Sequence, residues 1–280
     1  MTDYGKVSVL MGIYNCEATL ADSIESILAQ TYTDWELILC DDCSTDGTFA
    51  LAQSYAERYT EKIILLRNET NSRLAYSLNR CLEKATGKYV ARMDGDDKCV
   101  PERFEKQLDY LAAHPDAVLV GTAMQRFYND GTLGAVDACR PEPDRFTPHH
   151  NGPTFNHATI LAYKSVFDAL GGYTVCPRTV RGQDRDLWFR FFAAGYKGVN
   201  MPDPLYLVRE DVEAIGRRTF HDRWISFQTE IYGYRLLRYP LHWYIMPVLR
   251  LGKALAPQKA QLLYRNWQAK KDEQRKGNGT

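Results

Sequence analysis

The chain has 280 residues, of which 45% are hydrophobic and 25% charged, a balance typical of a soluble globular protein with a sizeable core. Its 35 basic and 35 acidic residues cancel, so composition gives no case for nucleic acid as a partner. The seven cysteines are scattered and odd in number, which favours reduced thiols over a disulfide framework. No signal peptide opens the sequence, and no stretch reaches the roughly 18 uninterrupted apolar residues of a membrane span. We therefore expect a cytoplasmic protein.

The first 100 residues alternate between strand and helix patterns. Near-continuous apolar runs, typical of strands buried on both faces, occur at 7–13, 35–40, 63–66 and 89–91. Apolar residues at helical spacing separate these runs, at 20–28, 49–59 and 74–85. Four strands alternating with three helices predict a doubly wound, mostly parallel α/β sheet flanked by helices.

Beyond Pro101 the pattern is less regular. A helix containing Phe104 is predicted to end near residues 114–115, and a fifth strand covers 117–121. Residues 125–155 hold much Gly, Pro, Asp and His with little periodicity, so we expect a lid or an acceptor-side loop there. A later helix begins beside Asp184, where the helix dipole favours a carboxylate.

Polar clusters follow three of the first four strands, and in open sheets of this kind ligands bind beyond the carboxyl ends of the strands. The clusters are Tyr14-Asn15-Cys16-Glu17, Asp41-Asp42 and Asp94-Gly95-Asp96-Asp97. The last cluster packs three carboxylates into four residues, and burying them without partners would cost several kcal/mol each. Hard oxygen ligands on a short loop suit Mg²⁺ or Mn²⁺, with positions left for a substrate's phosphates. A solvated acidic turn is the alternative for an isolated Asp-x-Asp.

Two common nucleotide-binding signatures are absent from the sequence. No G-x-G-x-x-G follows the first strand, which argues against a dinucleotide-binding site, and no G-x-x-x-x-G-K-[ST] occurs, which argues against a P-loop. A bound phosphate would therefore have to be neutralised mainly by a metal ion.

With these pieces placed, the chain resembles the family 2 glycosyltransferases of bacterial surface-polysaccharide type, which have the GT-A fold. The resemblance is carried by 7–48, by 87–101, and by Gly171-Gly172-Tyr173 followed by Asp184-Arg185-Asp186-Leu187-Trp188. It covers about the first 210 residues in the order typical of the family. It implies a GT-A domain over 1–225, with a nucleotide-sugar-binding half (1–100) and an acceptor-side half (101–225), followed by a basic helical tail (226–280).

The resemblance also implies roles for individual residues. The nucleotide-sugar pocket is expected to include Tyr14, Asn15, Glu17, Asp41, Asp42, Arg73, Asp94 and Gly95. Within it, Asp42 is expected to accept a hydrogen bond from the base. Asp96 is expected to hold the Mn²⁺ or Mg²⁺ ion and Asp184 to act as the catalytic base. His157 and Gln183 are expected on the acceptor side; a structural, hydrogen-bonded histidine is the open alternative for His157, and a solvated helix-start residue is the alternative for Arg73.

The implied reaction is an inverting, metal-dependent transfer of one sugar from a nucleotide-diphosphate sugar, with UDP expected, to a hydroxyl of a glycan or lipid-linked acceptor in polysaccharide biosynthesis. Phe220 stands where processive synthases have the Gln of Gln-x-x-Arg-Trp, so we expect a non-processive enzyme. The alternative is a catalytically silent nucleotide-sugar-binding protein, against which the presence of Asp184 argues.

The C-terminal tail is basic and rich in aromatic residues. From Ile231 to Lys271 there are eight Arg and Lys and no Asp or Glu, so the rest of this neutral chain carries a net charge of −8. Such segments commonly lie in the interface of a membrane. We therefore predict that 231–271 binds the cytoplasmic face of the inner membrane through short helices divided by Pro240, Pro247 and Pro257. The alternative is a helix packed on the body or at a homodimer contact.

Overall fold

The structure is a computed structural model that describes residues 2–149, 153–210 and 219–252. Within these ranges nine strands form one mixed sheet. The strands are β1 (Val7–Ile13), β2 (Trp35–Asp41), β3 (Ile63–Arg67), β4 (Tyr89–Arg92), β5 (Lys98–Cys99), β6 (Leu119–Phe127), β7 (Leu133–Asp137), β8 (Leu161–Tyr163) and β9 (Gly198–Arg209). The helices are α1 (Glu17–Leu28), α2 (Thr48–Arg58), α3 (Leu74–Lys84), α4 (Arg103–Ala113), α5 (Lys164–Leu170), α6 (Gln183–Ala193), α7 (Phe220–Leu236) and α8 (Ile245–Gly252).

The first half of the sheet has the predicted doubly wound arrangement. Strands β3, β2, β1 and β4 are parallel neighbours in that order. Beyond β4 the sheet becomes mixed, because β8 pairs antiparallel with both β4 and β6, while β6 pairs in parallel with β9. The parallel strands end at one edge of the sheet, where β1, β2 and β4 lead into the three polar clusters.

The sheet separates two apolar layers. Val9 of β1 faces Leu20 of α1 on one side, whereas Leu10 faces Leu78 of α3 and Leu187 of α6 on the other. All five side chains are buried, and burying each stabilises the fold by about 1.5–3 kcal/mol. Helices cover both faces of the central strands, which explains why those strands have continuous rather than alternating apolar runs.

Residues 125–137 form a hairpin, which corrects part of the predicted loop. Strand β6 continues to Phe127 and returns as β7, and the Tyr128 N–H donates to the carbonyl of Thr132 at 3.0 Å across the turn. The prediction was wrong here because the hairpin extends beyond the core, with Leu133 of β7 60% exposed, so its sequence lacks a buried face.

Strand β9 was not predicted at all. Pro202 and Pro204 interrupt its apolar pattern, and its register with β6 shifts opposite Ala123. Proline cannot donate to the ladder, so within strands it commonly marks such irregularities. The uninterrupted run that follows, Leu205-Tyr206-Leu207-Val208, was the available signal of a strand.

The tail begins within a helix that packs on the body. Helix α7 continues through the predicted boundary at 225/226, a division that stays a prediction. A Cβ on Gly233 would lie 2.1 Å from the ring of Phe189, so glycine permits the close approach of α7 to α6. Pro240 ends this segment as expected, but Pro247 lies in the first turn of α8, where a missing N–H is tolerated. Pro257 lies outside the described residues, as does the tail beyond Gly252.

The packed inner face of α7 supports the alternative that the tail packs on the body, at least as far as residue 252. His149 stacks on Trp243 at 4.0 Å between ring centroids, and Arg145 donates to the carbonyl of Leu237. No helix in the described ranges is both long enough and apolar enough to cross a bilayer.

Candidate active site

A cavity of about 560 Å³ opens at the carboxyl edge of the parallel strands. The predicted site residues that line it are Tyr14, Asp42, Arg73, Asp94, His157, Gln183 and Asp184. Side chains from distant parts of the sequence therefore meet at one place, as the convergence of the strand ends predicted. We call this space the donor cavity, after the role that was predicted for these residues.

Asp42 is fixed at the wall of the donor cavity by three hydrogen bonds. Its Oδ1 accepts from the side-chain amide of Asn68 and from the N–H of Ser72, both at 2.7 Å. Its Oδ2 accepts from the N–H of Arg73 at 2.8 Å. A carboxylate can accept about four hydrogen bonds, so one position on Oδ2 is left for a ligand.

Arg73 has an unusual backbone conformation at the start of α3. Its φ of 72° and ψ of 165° fall in a region that is essentially limited to glycine and costs of order 1–3 kcal/mol. The bond from its N–H to Asp42 holds this conformation in place. Among the described residues its guanidinium has no hydrogen bond or ion pair, so this side chain is available to a ligand in the cavity.

Asn15, Glu17, Asp41 and Gly95 do not line the donor cavity, although they were predicted in the pocket. Asn15 Oδ1 and Glu17 Oε2 accept from the N–H groups of Thr45 and Gly47, each at 2.9 Å. Asp41 is fully buried at the end of β2 and pairs with the guanidinium at the end of β3 at 3.3 Å. Asn15 and Glu17 thereby connect the loop after β1 to the loop after β2, and so they fix the loop that carries Tyr14.

The acidic loop after β4 brings three carboxylates together. Asp94, Asp96 and Asp97 each present an oxygen within 4.8 Å of the others. Gly95 lets this loop lie close to the end of β1, because a Cβ there would be 3.0 Å from a side-chain carbon of Ile13. Removal from water and the charge of Asp94 raise the pKa of Asp96, and the same causes together with Asp96 raise the pKa of Asp97 to about 7. Crowded carboxylate oxygens that resist ionisation fit a hard divalent cation such as Mg²⁺ or Mn²⁺.

Residues of β9 support this loop from behind. The Tyr206 hydroxyl and the Arg209 N–H each donate to Asp97 at 2.8 Å. Arg209 Nε also donates to the carbonyl of Asp96 at 2.9 Å. Sequence reasoning missed both supporting residues because it missed the strand that carries them.

Arg92 is a second residue that sequence reasoning missed. It ends β4, is 2% exposed and lines the donor cavity beside Asp94, with which its Nη1 forms an ion pair. Its Nε has no hydrogen-bond acceptor among the described residues. Burial, and then the charge of Arg92, lower the pKa of His157 well below its ordinary value. The neutral imidazole lies 2.8 Å from the hydroxyl of Tyr173.

Asp184 is the second residue of α6, and its carboxylate is not engaged: it has no hydrogen bond or ion pair within the described ranges. Asp186, two positions later, is fully buried and pairs with Arg178 and Arg190, as expected of a salt-bridge residue. Asp184 also lines a second cavity of about 500 Å³ between α6, α7 and α8. It is therefore a carboxylate available to a ligand in either space.

The cavity is lined by a carboxylate at the end of β2, the first carboxylate of the Asp-Gly-Asp loop after β4 and an unengaged carboxylate on α6. This is the arrangement that the resemblance to glycosyltransferases of the GT-A type implied. Residues 8–179, more than half of the chain, match the family described as Glycosyl transferase family 2. The chain belongs to this family and is a glycosyltransferase.

Relatives with similar sequences are named as glycosyltransferases or as a glucosyltransferase. The chain is 48% identical over 256 residues, or 90% of each chain, to the putative glycosyltransferase EpsE of Bacillus subtilis (strain 168). It is 33% identical over 234 residues to the amylovoran biosynthesis glycosyltransferase AmsE of Erwinia amylovora, covering 82% of this chain and 84% of AmsE. It is 26% identical over 204 residues to WfaP of Escherichia coli, a UDP-Glc:alpha-D-GlcNAc-diphosphoundecaprenol beta-1,3-glucosyltransferase, covering 72% and 77%.

Solved structures show the same fold. Mannosyltransferase PcManGT from Pyrobaculum calidifontis, in complex with GDP-Man and Mn²⁺, matches with a TM-score of 0.64 and 20% identity over 96% of this chain and 81% of that one. S. aureus TarS 1–349 in complex with UDP-GlcNAc matches with a TM-score of 0.64 and 15% identity, covering 90% and 82%. At these identities the likeness establishes the fold alone.

Proposed function

We propose that this glycosyltransferase is an inverting, metal-dependent and non-processive enzyme that moves one sugar from a UDP-sugar to a hydroxyl of a glycan or lipid-linked acceptor in polysaccharide biosynthesis. The observation that carries the proposal is that the unengaged carboxylate of Asp184 shares one cavity with Asp42 and Asp94. The names of AmsE and WfaP, with a polysaccharide and a lipid-linked sugar respectively, support this class of acceptor.

The hydrogen bonds of Asp42 favour uracil or thymine over guanine as the base of the donor. One acceptor position remains on this carboxylate after its bonds to Asn68, Ser72 and Arg73. Uracil presents a single N–H on its pairing edge, whereas guanine presents an N–H and an NH₂ side by side. The TarS complex with UDP-GlcNAc and the PcManGT complex with GDP-Man support a nucleotide-diphosphate sugar in general. Comparing the affinities of UDP, dTDP and GDP tests the assignment of the base.

We assign the metal ion to Asp96, with Asp94 beside it and Asp97 behind it. When bound there, Mn²⁺ or Mg²⁺ would neutralise charge on a leaving diphosphate. The protein itself holds the three carboxylates together against their mutual repulsion. Arg92 does so by its ion pair with Asp94, and Arg209 by its bonds to Asp97 and to the backbone of the loop.

Asp184 acts as the general base in this proposal. Its carboxylate takes the proton of the acceptor hydroxyl while that oxygen forms a bond to the anomeric carbon. The bond from the anomeric carbon to the nucleotide diphosphate breaks on the opposite face, and a single displacement of this kind inverts the configuration. General base catalysis typically contributes about 10²–10⁴-fold to the rate.

The Asp184→Asn variant tests this role. Its turnover with a UDP-sugar and Mn²⁺ is expected to fall by about 10²–10⁴-fold, while the affinity for UDP remains that of the wild type, because Asp42 and Asp94 are untouched. Turnover close to the wild-type value would remove Asp184 as the base. NMR of the product's anomeric proton tests inversion separately, and a retained anomer would rule out the single displacement.

The described part of the tail supports contact with a membrane surface. Its outer face exposes Leu241, Ile245, Val248 and Leu249, at 86%, 58%, 54% and 53%. The 231–271 segment carries eight positive charges and no acidic residue. An apolar helix face accompanied by cations suits an anionic lipid surface, and a lipid-linked acceptor would place this enzyme at the cytoplasmic face of the inner membrane.

Flotation with vesicles of phosphatidylglycerol and phosphatidylcholine tests the membrane contact. Deleting the tail from residue 231 would strip Tyr234 from the core, so exposed side chains are the better target. The Ile245→Glu/Leu249→Glu variant is expected to lose most of its vesicle binding. The matched control is Leu133→Glu/Val136→Glu on β7, where the side chains are 60% and 47% exposed. If both variants float as the wild type does, this face of the tail does not bind the vesicles.

A further inference from the structure

Arg103 is a cation in the core of the protein. It is the first residue of α4 and is fully buried, although a guanidinium stays protonated inside proteins. Within the described ranges no carboxylate pairs with it. A buried charge is unfavourable unless hydrogen bonds and oriented dipoles replace its hydration. The groups that Arg103 contacts therefore indicate why the fold places a cation here.

The guanidinium binds the backbone of two segments that are distant in the sequence. Its Nη2 donates to the carbonyl of Arg92, at the end of β4, at 2.8 Å and to the carbonyl of Ala158 at 3.3 Å. Ala158 belongs to a short 3₁₀ helix, His157–Thr159. Arg92, His157 and Ala158 all line the donor cavity. A single buried side chain thus joins two parts of the cavity wall.

Gln107, one turn further along α4, extends this contact and is also fully buried. Its Oε1 accepts from Arg103 Nε at 3.1 Å, and its Nε2 donates to the carbonyl of Thr159 at 2.8 Å. Because a guanidinium can only donate, Arg103 orients the amide of Gln107 with its oxygen towards itself. The NH₂ group then faces the 3₁₀ helix. The two side chains therefore hold that helix at two successive carbonyls, those of residues 158 and 159.

Arg103 also packs against the tyrosine that supports the acidic loop. Its guanidinium carbon lies 5.2 Å from the centroid of the Tyr206 ring, within the range of a cation–π interaction. The Tyr206 hydroxyl accepts from the N–H of Asp94 at 3.1 Å and donates to Asp97 at 2.8 Å. Arg103 therefore contacts both the strand end that leads into the acidic loop and the side chain that holds this loop from behind.

The base end of the donor cavity is fixed independently. Asp42 is held by Asn68, Ser72 and the N–H of Arg73. Neither residue of the Arg103–Gln107 pair has a hydrogen bond to this group in the part of the chain that the structure describes. A change in the pair is therefore expected to affect the acidic loop and the 3₁₀ helix but not the end that holds the base.

We propose that Arg103 and Gln107 are positioning residues for the transfer reaction. They fix the acidic loop and the 3₁₀ helix relative to each other, so that the diphosphate and the sugar of the donor meet a preformed cavity. The proposal rests on the proposed function, because it needs a nucleotide diphosphate and its metal ion at the acidic loop. A position that served only the stability of the core would be filled at least as well by an apolar side chain of similar volume.

Two nucleotides separate this role from a general loss of structure. UMP without metal probes the base end of the cavity, whereas UDP with Mn²⁺ also probes the acidic loop. Arg103→Lys keeps the charge but lacks the fork that spans Gln107 and both carbonyls. In titration calorimetry it is expected to bind UDP with Mn²⁺ at least about tenfold more weakly than the wild type does. Its affinity for UMP is expected to stay within about threefold of the wild-type value.

Glu36→Gln is the matched control. Glu36 is buried near the start of β2, at the opposite edge of the sheet, and accepts from the Ser8 hydroxyl at 2.6 Å and from the Thr86 N–H at 2.7 Å. This variant is expected to lower the Tm and to leave both affinities within about threefold of the wild type. It shows that a loss of stability alone does not separate the two nucleotides.

Thermal unfolding of each variant shows whether it folds. If Arg103→Lys does not, Gln107→Met carries the test, because it removes the acceptor of Arg103 Nε and the donor to Thr159 at similar side-chain length. It is expected to weaken binding of UDP with Mn²⁺ by about fivefold or more and to spare UMP.

Three results would overturn the positioning role. They are an equal loss for both nucleotides, unchanged affinity for UDP with Mn²⁺ in a folded variant of the pair, and a selective loss in Glu36→Gln. The proposed transferase function survives each of them as long as the wild type binds UDP with Mn²⁺. A wild-type chain that binds neither nucleotide overturns both proposals.

Discussion

Replacing Asp42 by asparagine is expected to weaken nucleotide binding, whereas the same change at Asp41 is not. The two carboxylates are buried neighbours at the end of β2, at 5% and 0% exposure, but only Asp42 lines the donor cavity. Asparagine keeps the shape of the side chain and turns one acceptor into a donor. At Asp42 an amide oxygen can still accept from Asn68 and Ser72, but the NH₂ group then faces the N–H of Arg73.

The size of the effect follows from the bonds that are lost. Hydrogen bonds to charged groups contribute about 1.5–3 kcal/mol each, and Asp42→Asn loses one to Arg73 and one to the base. The Kd for UDP is therefore expected to rise about 10–150-fold. The loss of the bond to Arg73 lowers the free energy of unfolding by about 1.5–3 kcal/mol, which corresponds to a Tm roughly 3–12 °C lower.

Calorimetric titration with UDP and Mn²⁺ measures the first effect, and thermal unfolding measures the second. Asp41→Asn breaks the ion pair with Arg67 and a long contact with the N–H of Ser44. It should cost about 1–3 kcal/mol of stability but leave the UDP affinity within about twofold. If Asp41→Asn weakens UDP binding as much as Asp42→Asn does, the reasoning from the cavity lining is refuted.

Two predictions concern stability. Gly233→Ala places a Cβ 2.1 Å from the buried ring of Phe189, so it should lower the free energy of unfolding by about 1–3 kcal/mol or more. The control is Gly252→Ala, whose Cβ meets nothing within 4 Å and which should change the free energy of unfolding by no more than about 0.5 kcal/mol. Equal melting curves for the two variants would contradict the packing of α7 on α6. Burial raises the pKa of Asp186, but hydrogen bonds from Thr174 and two arginines outweigh it and hold the pKa below its ordinary value. Its stabilisation is therefore complete above about pH 4 and lost as the pH falls further, so the deficit of Asp186→Asn in Tm should narrow below that pH, and a deficit independent of pH would count against the ion pairs.

Secondary structure was predictable where the local pattern matched the final environment. Strands β1, β2 and β4 are covered on both faces, so their apolar runs were sufficient to identify them. Strand β9 is just as well paired, but Pro202 and Pro204 interrupt its apolar pattern where its register with β6 shifts, so the pattern did not identify the strand. The hairpin of β6 and β7 was missed for a different reason. Its exposed end packs against no core, so its sequence has no alternation of apolar and polar residues.

The site was predictable as a location but only partly as a set of side chains. The strand ends correctly placed Asp42 and Asp94 at one cavity, because parallel strands end at one edge. Proximity in the chain does not give the direction of a side chain, however. Asn15 has a φ of 48° and its side chain accepts from the loop after β2 rather than lining the cavity. Arg92 was not predicted in the site, because the sequence does not show that a buried position at the end of β4 holds a cation that pairs with the carboxylate two residues later.

The contrast between Asp184 and Asp186 shows what the fold adds to the sequence. Both are carboxylates in the first turn of α6, and composition gives no reason to prefer either as a base. Residues two positions apart point about 200° away from each other around a helix, so only one of the pair can face the cavities. Asp186 points into the body, where Arg178 and Arg190 neutralise it and Thr174 fixes it. Asp184 then lines both cavities, and its position on a helix held by a buried ion cluster gives an unpaired carboxylate a fixed direction, which the proposed proton transfer to it requires.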